Sequence, residues 1–76
     1  MNKQRRDQIA KLRTQLEEVR DSISDLCTEE QEYYDNMPES IQSSEKGEAA
    51  QTAADALQSA CDEIESAVSE LDTAIE

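Results

Sequence analysis

The side chains that could do chemistry in this sequence are two cysteines, two tyrosines and nineteen carboxylates, and there is no histidine. The sequence shows no catalytic constellation, since it has neither a nucleophile-elbow motif nor a phosphate-binding glycine loop. Cys27 and Cys61 lack the spacing of zinc ligands. We therefore predict that the protein is not an enzyme, holds no metal or cofactor, and keeps both thiols free and buried.

The carboxylates outnumber seven basic side chains and give the chain a net charge of −12. A nucleic-acid backbone is repelled by such a surface, so we expect no direct contact with DNA or RNA. No group of carboxylates has the alternating ligand spacing and central glycine of a calcium-binding EF-hand loop. Most of the carboxylates are therefore expected to be solvated groups on the protein surface.

The sequence also bears on where the protein works. No apolar run approaches the ~20 residues of a transmembrane helix. The N-terminal segment MNKQRRDQIAKLR has basic residues but no apolar core of a signal peptide. We therefore expect no membrane contact and a cytoplasmic location.

Two long stretches with heptad spacing must position these side chains. Apolar residues recur at alternating steps of three and four, which is the a/d pattern of helices that pack along one stripe. The fold class predicted is all-α, an antiparallel two-helix hairpin. The first stripe, interrupted at Glu30, contains Ile9, Leu12, Leu16, Val19, Ile23, Leu26, Tyr33 and Met37. The second stripe contains Gly47, Ala50, Ala54, Leu57, Cys61, Ile64, Val68, Leu71 and Ile75.

Proline and serine indicate the helix boundaries. Pro38 disfavours a helical conformation at the residue before it, and Ser43 or Ser44 is a suitable N-cap for a second helix. We predict one domain, with a helix at about 3–36, a turn at about 37–43 and a helix at about 44–75.

The same spacing predicts which residues face each other. An antiparallel pair folded about residue 40 faces Leu12 with Val68 in the core. Its edge brings Arg13 close to Glu65, where opposite charges favour this register. The basic start of the first helix then lies beside the acidic end of the second.

The core of such a hairpin is thin. Two helices shield one stripe each, and scaffolds of this length rarely obtain more than ~3–5 kcal/mol from one core. A heptad-spaced stripe of alanines on the second helix favours either close packing within the hairpin or the approach of a further helix. That helix would come from a second copy, which makes a dimeric four-helix bundle, or from a target protein. The stripe consists of Ala53, Ala60, Ala67 and Ala74.

The segment around the turn is strongly acidic, since residues 21–55 contain ten acids and one lysine. We predict that Tyr33 packs inward opposite Gly47 and that Tyr34 is exposed. In one interpretation the bulky side chains cap the core while the acids keep the chain soluble. In the other, an acidic surface with an aromatic anchor binds a basic partner. The candidate partner-binding residues are Glu29, Glu32, Tyr34, Asp35, Glu39, Glu45 and Glu48.

The turn and second helix, EYYDNMPESIQSSEKGEAAQTAADALQSACDEIESAVSELDTAIE, resemble small acidic helical-hairpin proteins of tailed phages and prophages. Those proteins typically carry a similar turn, (E)Y-x-D-N-(M/I)-P-E-(S/N)-(I/L)-Q-x-S-E-x-(G/Y)-E, between two helices. The resemblance covers about residues 30–76 and is distinctive in the turn. It implies a phage setting in the cytoplasm of a bacterial host. By analogy with other small acidic phage proteins, it also implies inhibition of host defence or nucleic-acid-processing proteins.

Two functions from different classes follow. The leading hypothesis is a non-enzymatic phage-type protein that binds and modulates a host protein with a basic surface, as a mimic of nucleic acid. The alternative is a structural coiled-coil module that assembles a larger complex or particle through the alanine stripe. A third class, a segment that folds only on binding, predicts low helicity for the free chain.

Overall fold

The chain forms three helices and no strand, so the predicted all-helical class is confirmed. The computed structural model describes all 76 residues, with α1 at Lys3–Asp35, α2 at Glu39–Gln42 and α3 at Glu45–Ile75. The two long helices lie side by side in a molecule of 58 × 14 × 13 Å. Its radius of gyration of 17.2 Å exceeds the roughly 11 Å of a compact chain of this length. None of the helices has an apolar stretch of the length that crossing a bilayer requires.

The two long helices start in different ways. The side-chain oxygen of Asn2 accepts a hydrogen bond from the backbone N–H of Arg5 at 2.8 Å, which satisfies one of the free donors at the start of α1. Ser44 occupies the N-cap position of α3, but its hydroxyl donates to the carbonyl of Ile41 and does not cap the helix. Two glutamates in the first turn of α3 provide favourable charge there instead.

The connection between the long helices is tight, because the single helical turn α2 packs directly against the start of α3. A Cβ atom on Gly47 would lie 2.1 Å from the carbonyl oxygen of Gln42, so only glycine fits without moving the backbone. The side-chain amide of Gln42 also donates to the carbonyl of Tyr34 at 3.0 Å, beside the backbone N–H of Met37, and so ties α2 to the end of α1. Glycine and glutamine together therefore hold α2 in place.

The line of contact between the two long helices, called the seam below, does not follow the predicted stripe on α1. It lies on a side of α1 that is rotated away from that stripe. Heptad letters are assigned here with Ile9 and Gly47 as a positions. The side of α3 that faces α1 is its predicted stripe. The buried residues there are Gly47, Ala50, Ala54, Cys61 and Val68. On α1, the half-buried positions are a and e instead of a and d, which corresponds to a turn of the helix by roughly 50°. They are Ile9, Arg13, Leu16, Arg20, Ile23, Cys27, Glu30 and Tyr34, continued by Met37 after the helix end, and two b positions, Glu17 and Gln31, are half-buried beside them.

The d positions of α1 correct the predicted core. Leu12, Val19 and Leu26 are 54%, 49% and 53% exposed, and Tyr33 is 48% exposed. The e positions take their place, since Arg13 and Arg20 are half-buried there and their charged ends reach acids of α3. The core is correspondingly small, with five buried residues in the whole chain.

The ion pairs show a second correction, in the side-chain register. Arg13 hydrogen-bonds Asp72 through two nitrogens, whereas the sequence predicted Glu65 as its neighbour. Glu65 lies instead 3.3 Å from Arg20. Helical side chains lean toward the N-terminus of their own helix, so antiparallel neighbours lean toward each other and join residues that are offset along the seam. Each of the two arginines therefore pairs with an acid that is seven residues further along α3 than the residue the sequence predicted.

Candidate interaction surfaces

One edge of the seam is charged. The pairs Arg13–Asp72 and Arg20–Glu65 both join e positions of the two helices. The hydrogen bond to Asp72 raises the pKa of the Arg13 guanidinium. The two arginine side chains remain 30% and 31% exposed, so solvent screens these ion pairs and they specify register more than stability.

The opposite edge of the seam is apolar. On each helix the d position lies about 100° from the e position, so the d positions of both helices occupy the side away from the ion pairs. The alanines at the g positions of α3 lie next to them. We call this surface the apolar face. It consists of Leu12, Val19, Leu26 and Tyr33 on α1, and of Ala53, Leu57, Ala60, Ile64, Ala67, Leu71 and Ala74 on α3.

Charge is almost excluded from this side of the molecule. Sixteen d and g positions lie between Gln8 and Tyr33 on α1 and between Ala50 and Ala74 on α3, and Glu29 alone among them is charged. Across the whole sequence, 34% of the residues are charged. A surface that faces only water has no reason to avoid charge, and contiguous exposed apolar surface marks interaction sites.

The alanine stripe predicted as a helix-packing seam is part of the apolar face. Ala53, Ala60 and Ala67 are half-buried, and Ala74 is exposed. The stripe lies at the outer edge of the d positions of α3, whose larger side chains Leu57, Ile64 and Leu71 are also half-buried. Small side chains at this edge leave room for a further helix to approach α3.

The candidate acidic residues surround the turn and face solvent. No ion pair involves any of them, so their charges are not neutralised within the chain. The nearest basic group is Lys46, whose ammonium lies 5.6 Å from the centre of the Tyr33 ring. The exposed members of the predicted set are Glu29, Glu32, Asp35, Glu39, Glu45 and Glu48.

The two tyrosines exchange their predicted roles. Tyr34 is at an e position and is half-buried in the seam, whereas Tyr33 is 48% exposed. The rotation of α1 is the cause, because it turns e positions inward and d positions outward. The accessible aromatic side chain near the turn is therefore Tyr33, and the neighbour of Gly47 is the backbone of Gln42.

Both cysteines are free and hydrogen-bond across the seam. The thiol of Cys27, which is half-buried, lies 3.4 Å from the carbonyl oxygen of Ala54. The thiol of Cys61, which is buried, lies 3.6 Å from the carbonyl oxygen of Arg20. Burial raises the pKa of the Cys61 thiol, which keeps it protonated and unreactive at neutral pH.

No group of three or more cysteine, aspartate or glutamate side chains has an arrangement that suits a metal ion. A shallow groove between the helices is lined by Cys27, Ala54 and five polar or acidic side chains. The thiol of Cys27 in this groove lies within hydrogen-bond range of the Ala54 carbonyl oxygen and of the side-chain oxygen of Gln58. The surfaces that distinguish this chain are therefore the apolar face and the acidic turn.

Comparison with known protein families, with curated proteins and with solved structures gives no match. The apolar face was not recognised in the sequence, although a signal was present. In a two-helix seam the g positions are usually charged, whereas Gln8, Gln15 and Ser22 on α1 are uncharged.

Proposed function

We propose that the protein is a non-enzymatic assembly module, an antiparallel helical hairpin that joins protein chains by burying its apolar face. The observation that carries this proposal is the half exposure of Leu12, Val19 and Leu26 on a side of the molecule that nearly excludes charge. Their spacing of seven residues is the one that helices use when they pack along each other. Burial of these side chains against a helix would remove a large apolar area from water.

The proposal is tested by placing charge on the apolar face. Val19→Glu with Leu26→Glu should abolish capture of binding partners by the tagged protein in a bacterial lysate, because a buried carboxylate without a partner is costly. Both side chains are about half exposed in the isolated chain, so circular dichroism should show that the helices survive. Capture by the unmodified protein should also resist high salt, since screening weakens only charge interactions.

A matched control adds the same charge elsewhere on α1. Thr14 and Thr28 are exposed f positions, and their hydroxyls bond only to carbonyls four residues earlier in the helix. Thr14→Glu with Thr28→Glu should leave capture unchanged. If the control and the apolar-face variant behave alike, the apolar face is not the contact surface.

A second candidate function uses the acidic turn. The exposed carboxylates around it have no ion-pair partners. Tyr33, near the end of α1, is exposed as well, with the Lys46 ammonium 5.6 Å from its ring centre. Such a surface would attract a basic groove on another protein and would offer it an aromatic anchor. This is the chemistry needed by a phage-type modulator that imitates nucleic acid in front of a host protein.

Charge reversal separates this second candidate from the first. Glu32→Lys with Glu39→Lys should abolish binding to a basic host protein that moderate salt releases. Glu63→Lys with Glu70→Lys changes the net charge equally on exposed positions of α3 and should retain binding. Equal binding by both variants would show that the acidic turn does not select a partner.

A further inference from the structure

The apolar face has the composition and spacing to bind a second copy of the same chain. We infer that two chains pack face to face, with α1 of one against α1 of the other in opposite directions and with their turns at opposite ends. This inference rests on the proposed function and names its partner. It is carried by the exposed area, the spacing of the bulky side chains and the distribution of charge.

The chain exposes more surface than a monomer of its mass normally does. A folded monomer of 8.5 kDa typically exposes roughly 4,700 Å². This chain exposes 5512 Å², an excess of roughly 800 Å² over that scaling. A standard protein interface buries roughly 800 Å² on each partner. The excess is therefore about the area that one face-to-face contact would remove.

The spacing of the bulky side chains is self-complementary. The midpoint of the exposed stripe on α1 lies between Ser22 and Ile23. A two-fold axis there pairs Leu12 with Tyr33 of the second copy and Val19 with Leu26 of the second copy. Each contact then occurs twice, as two-fold symmetry requires. All four bulky side chains of each chain are used.

The alanine stripe obeys the same symmetry. A two-fold arrangement that pairs α1 with α1 also places α3 beside α3 of the second copy, again in opposite directions. The hydrogen bonds of Cys27 and Cys61 across the seam place the axis near residue 58 of α3. Ala60 then lies close to Ala60 of the second copy, and Ala53 close to Ala67 of the second copy. Side chains of this size allow helix axes to approach to the short end of the roughly 8–10 Å range.

The distribution of charge along α1 suits this orientation. Residues 1–20 carry six basic and three acidic side chains, whereas residues 21–37 carry six acids and no basic group. Antiparallel packing of α1 against α1 places the basic segment of each chain beside the acidic segment of the other. Opposite charges attract across such an interface, and the placement of the two acidic turns then decides between the possible two-fold arrangements.

The other two-fold arrangement is disfavoured by charge. It would place α1 against α3 of the second copy, with both turns at the same end. Two acidic segments, each with ten acids and one lysine between residues 21 and 55, would then lie side by side. Like charges brought together in this way repel and oppose association.

The first test is the molar mass in solution by sedimentation equilibrium. We expect the unmodified chain to have twice the mass of a single chain at roughly 100 μM, well above a micromolar Kd. Val19→Glu with Leu26→Glu should halve that mass, and Thr14→Glu with Thr28→Glu should leave it doubled. A single-chain mass for the unmodified protein would overturn the inference.

The second test is the direction of packing, by disulfide formation in the background Cys27→Ser with Cys61→Ala. Ser22→Cys places two thiols next to the two-fold axis, and oxidation should link most of the chains into covalent dimers. Gln8→Cys places the thiols far from the axis and should give no link. Linkage of both variants would indicate parallel helices, and linkage of neither would indicate the arrangement with adjacent turns. Either result would overturn the inferred orientation.

These outcomes separate the inference from the proposed function. A monomeric protein whose apolar-face variant still loses a captured partner would refute the second copy and retain the assembly module. A dimer that survives Val19→Glu with Leu26→Glu would refute both, because the contact would then lie elsewhere. A doubled mass that the variant halves, together with the Ser22→Cys link, supports both.

Discussion

At the scale of single residues, the turn depends on the one glycine of the chain. Glycine is less favourable than alanine by about 1 kcal/mol within a helix, so its position in the first turn of α3 needs a local cause. That cause is the close approach of α2, since a Cβ on Gly47 would meet the Gln42 carbonyl oxygen at 2.1 Å. The short connection between the long helices is possible because the side chain is absent.

Gly47→Ala is therefore expected to lower the midpoint of thermal unfolding, even though alanine is the better helix former. The clash involves backbone atoms of Gln42 and has no flexible side chain to absorb it. Ala49→Gly, at an exposed position of the same helix, is the control and should cost only the propensity difference. A higher midpoint for Gly47→Ala would show that α2 is not held against α3.

The two thiols should differ in reactivity. Burial raises the pKa of Cys61, so its thiolate is scarce in the folded chain and its alkylation should be slower than that of the half-buried Cys27. Mass spectrometry after brief alkylation near pH 8 measures the ratio, and denaturant should remove the difference. Equal rates in the folded protein would contradict the packing around Cys61.

The same thiol makes stability depend on pH. The unfolded thiol ionises near pH ~8.5, before the folded one, because the folded pKa is raised. The stability that the neutral Cys61 thiol contributes is therefore complete below that pH and declines as pH rises through the folded pKa. Cys61→Ala should flatten this alkaline decline in unfolding experiments, and an unchanged slope would argue against a buried neutral thiol.

At the scale of helices, the rotation of α1 decides which side chains meet α3 and which remain free. Turning the e positions inward gives Arg13 and Arg20 their acidic partners and lets Cys27 reach the carbonyl of Ala54. The same rotation leaves Leu12 and Val19 outward. The seam and the apolar face are therefore two consequences of one rotation.

Double-mutant cycles can test which acid of α3 pairs with Arg13. Arg13→Ala and Asp72→Ala should be non-additive in their effect on the thermal midpoint, because these side chains bond each other. Arg13→Ala and Glu65→Ala should be additive, because Glu65 bonds Arg20 instead. Coupling in the second cycle and not in the first would restore the register that the sequence alone suggested.

The sequence predicted the helices better than their orientation. Heptad spacing indicates helix along both long stretches, and Pro38 indicates where the first must end. The rotation was not predictable from apolar residues, because α1 has apolar d positions and α3 offers alanines that accept either d or e positions. The exchange between Tyr33 and Tyr34 follows from this ambiguity, which only the contacts between helices resolve.

At the scale of the whole molecule, the chain is a rod with five buried residues and more surface than its mass requires. A rod of two helices has no second layer to cover the outer side of its seam, whereas compact domains bury such stripes against another element. Side-by-side association supplies that layer without lengthening the rod. The shape and the mass of the particle in solution together therefore test whether two chains associate side by side.

Small-angle X-ray scattering measures both quantities on the unmodified protein. The account predicts a particle with twice the 8.5 kDa mass of the chain and a maximum dimension that stays close to 58 Å. Its cross-section should be larger than that of a single pair of helices. A single-chain mass with a radius of gyration near 17.2 Å would contradict self-association. A doubled mass with a nearly doubled length would place the contact at the ends of the rod and not on its apolar face.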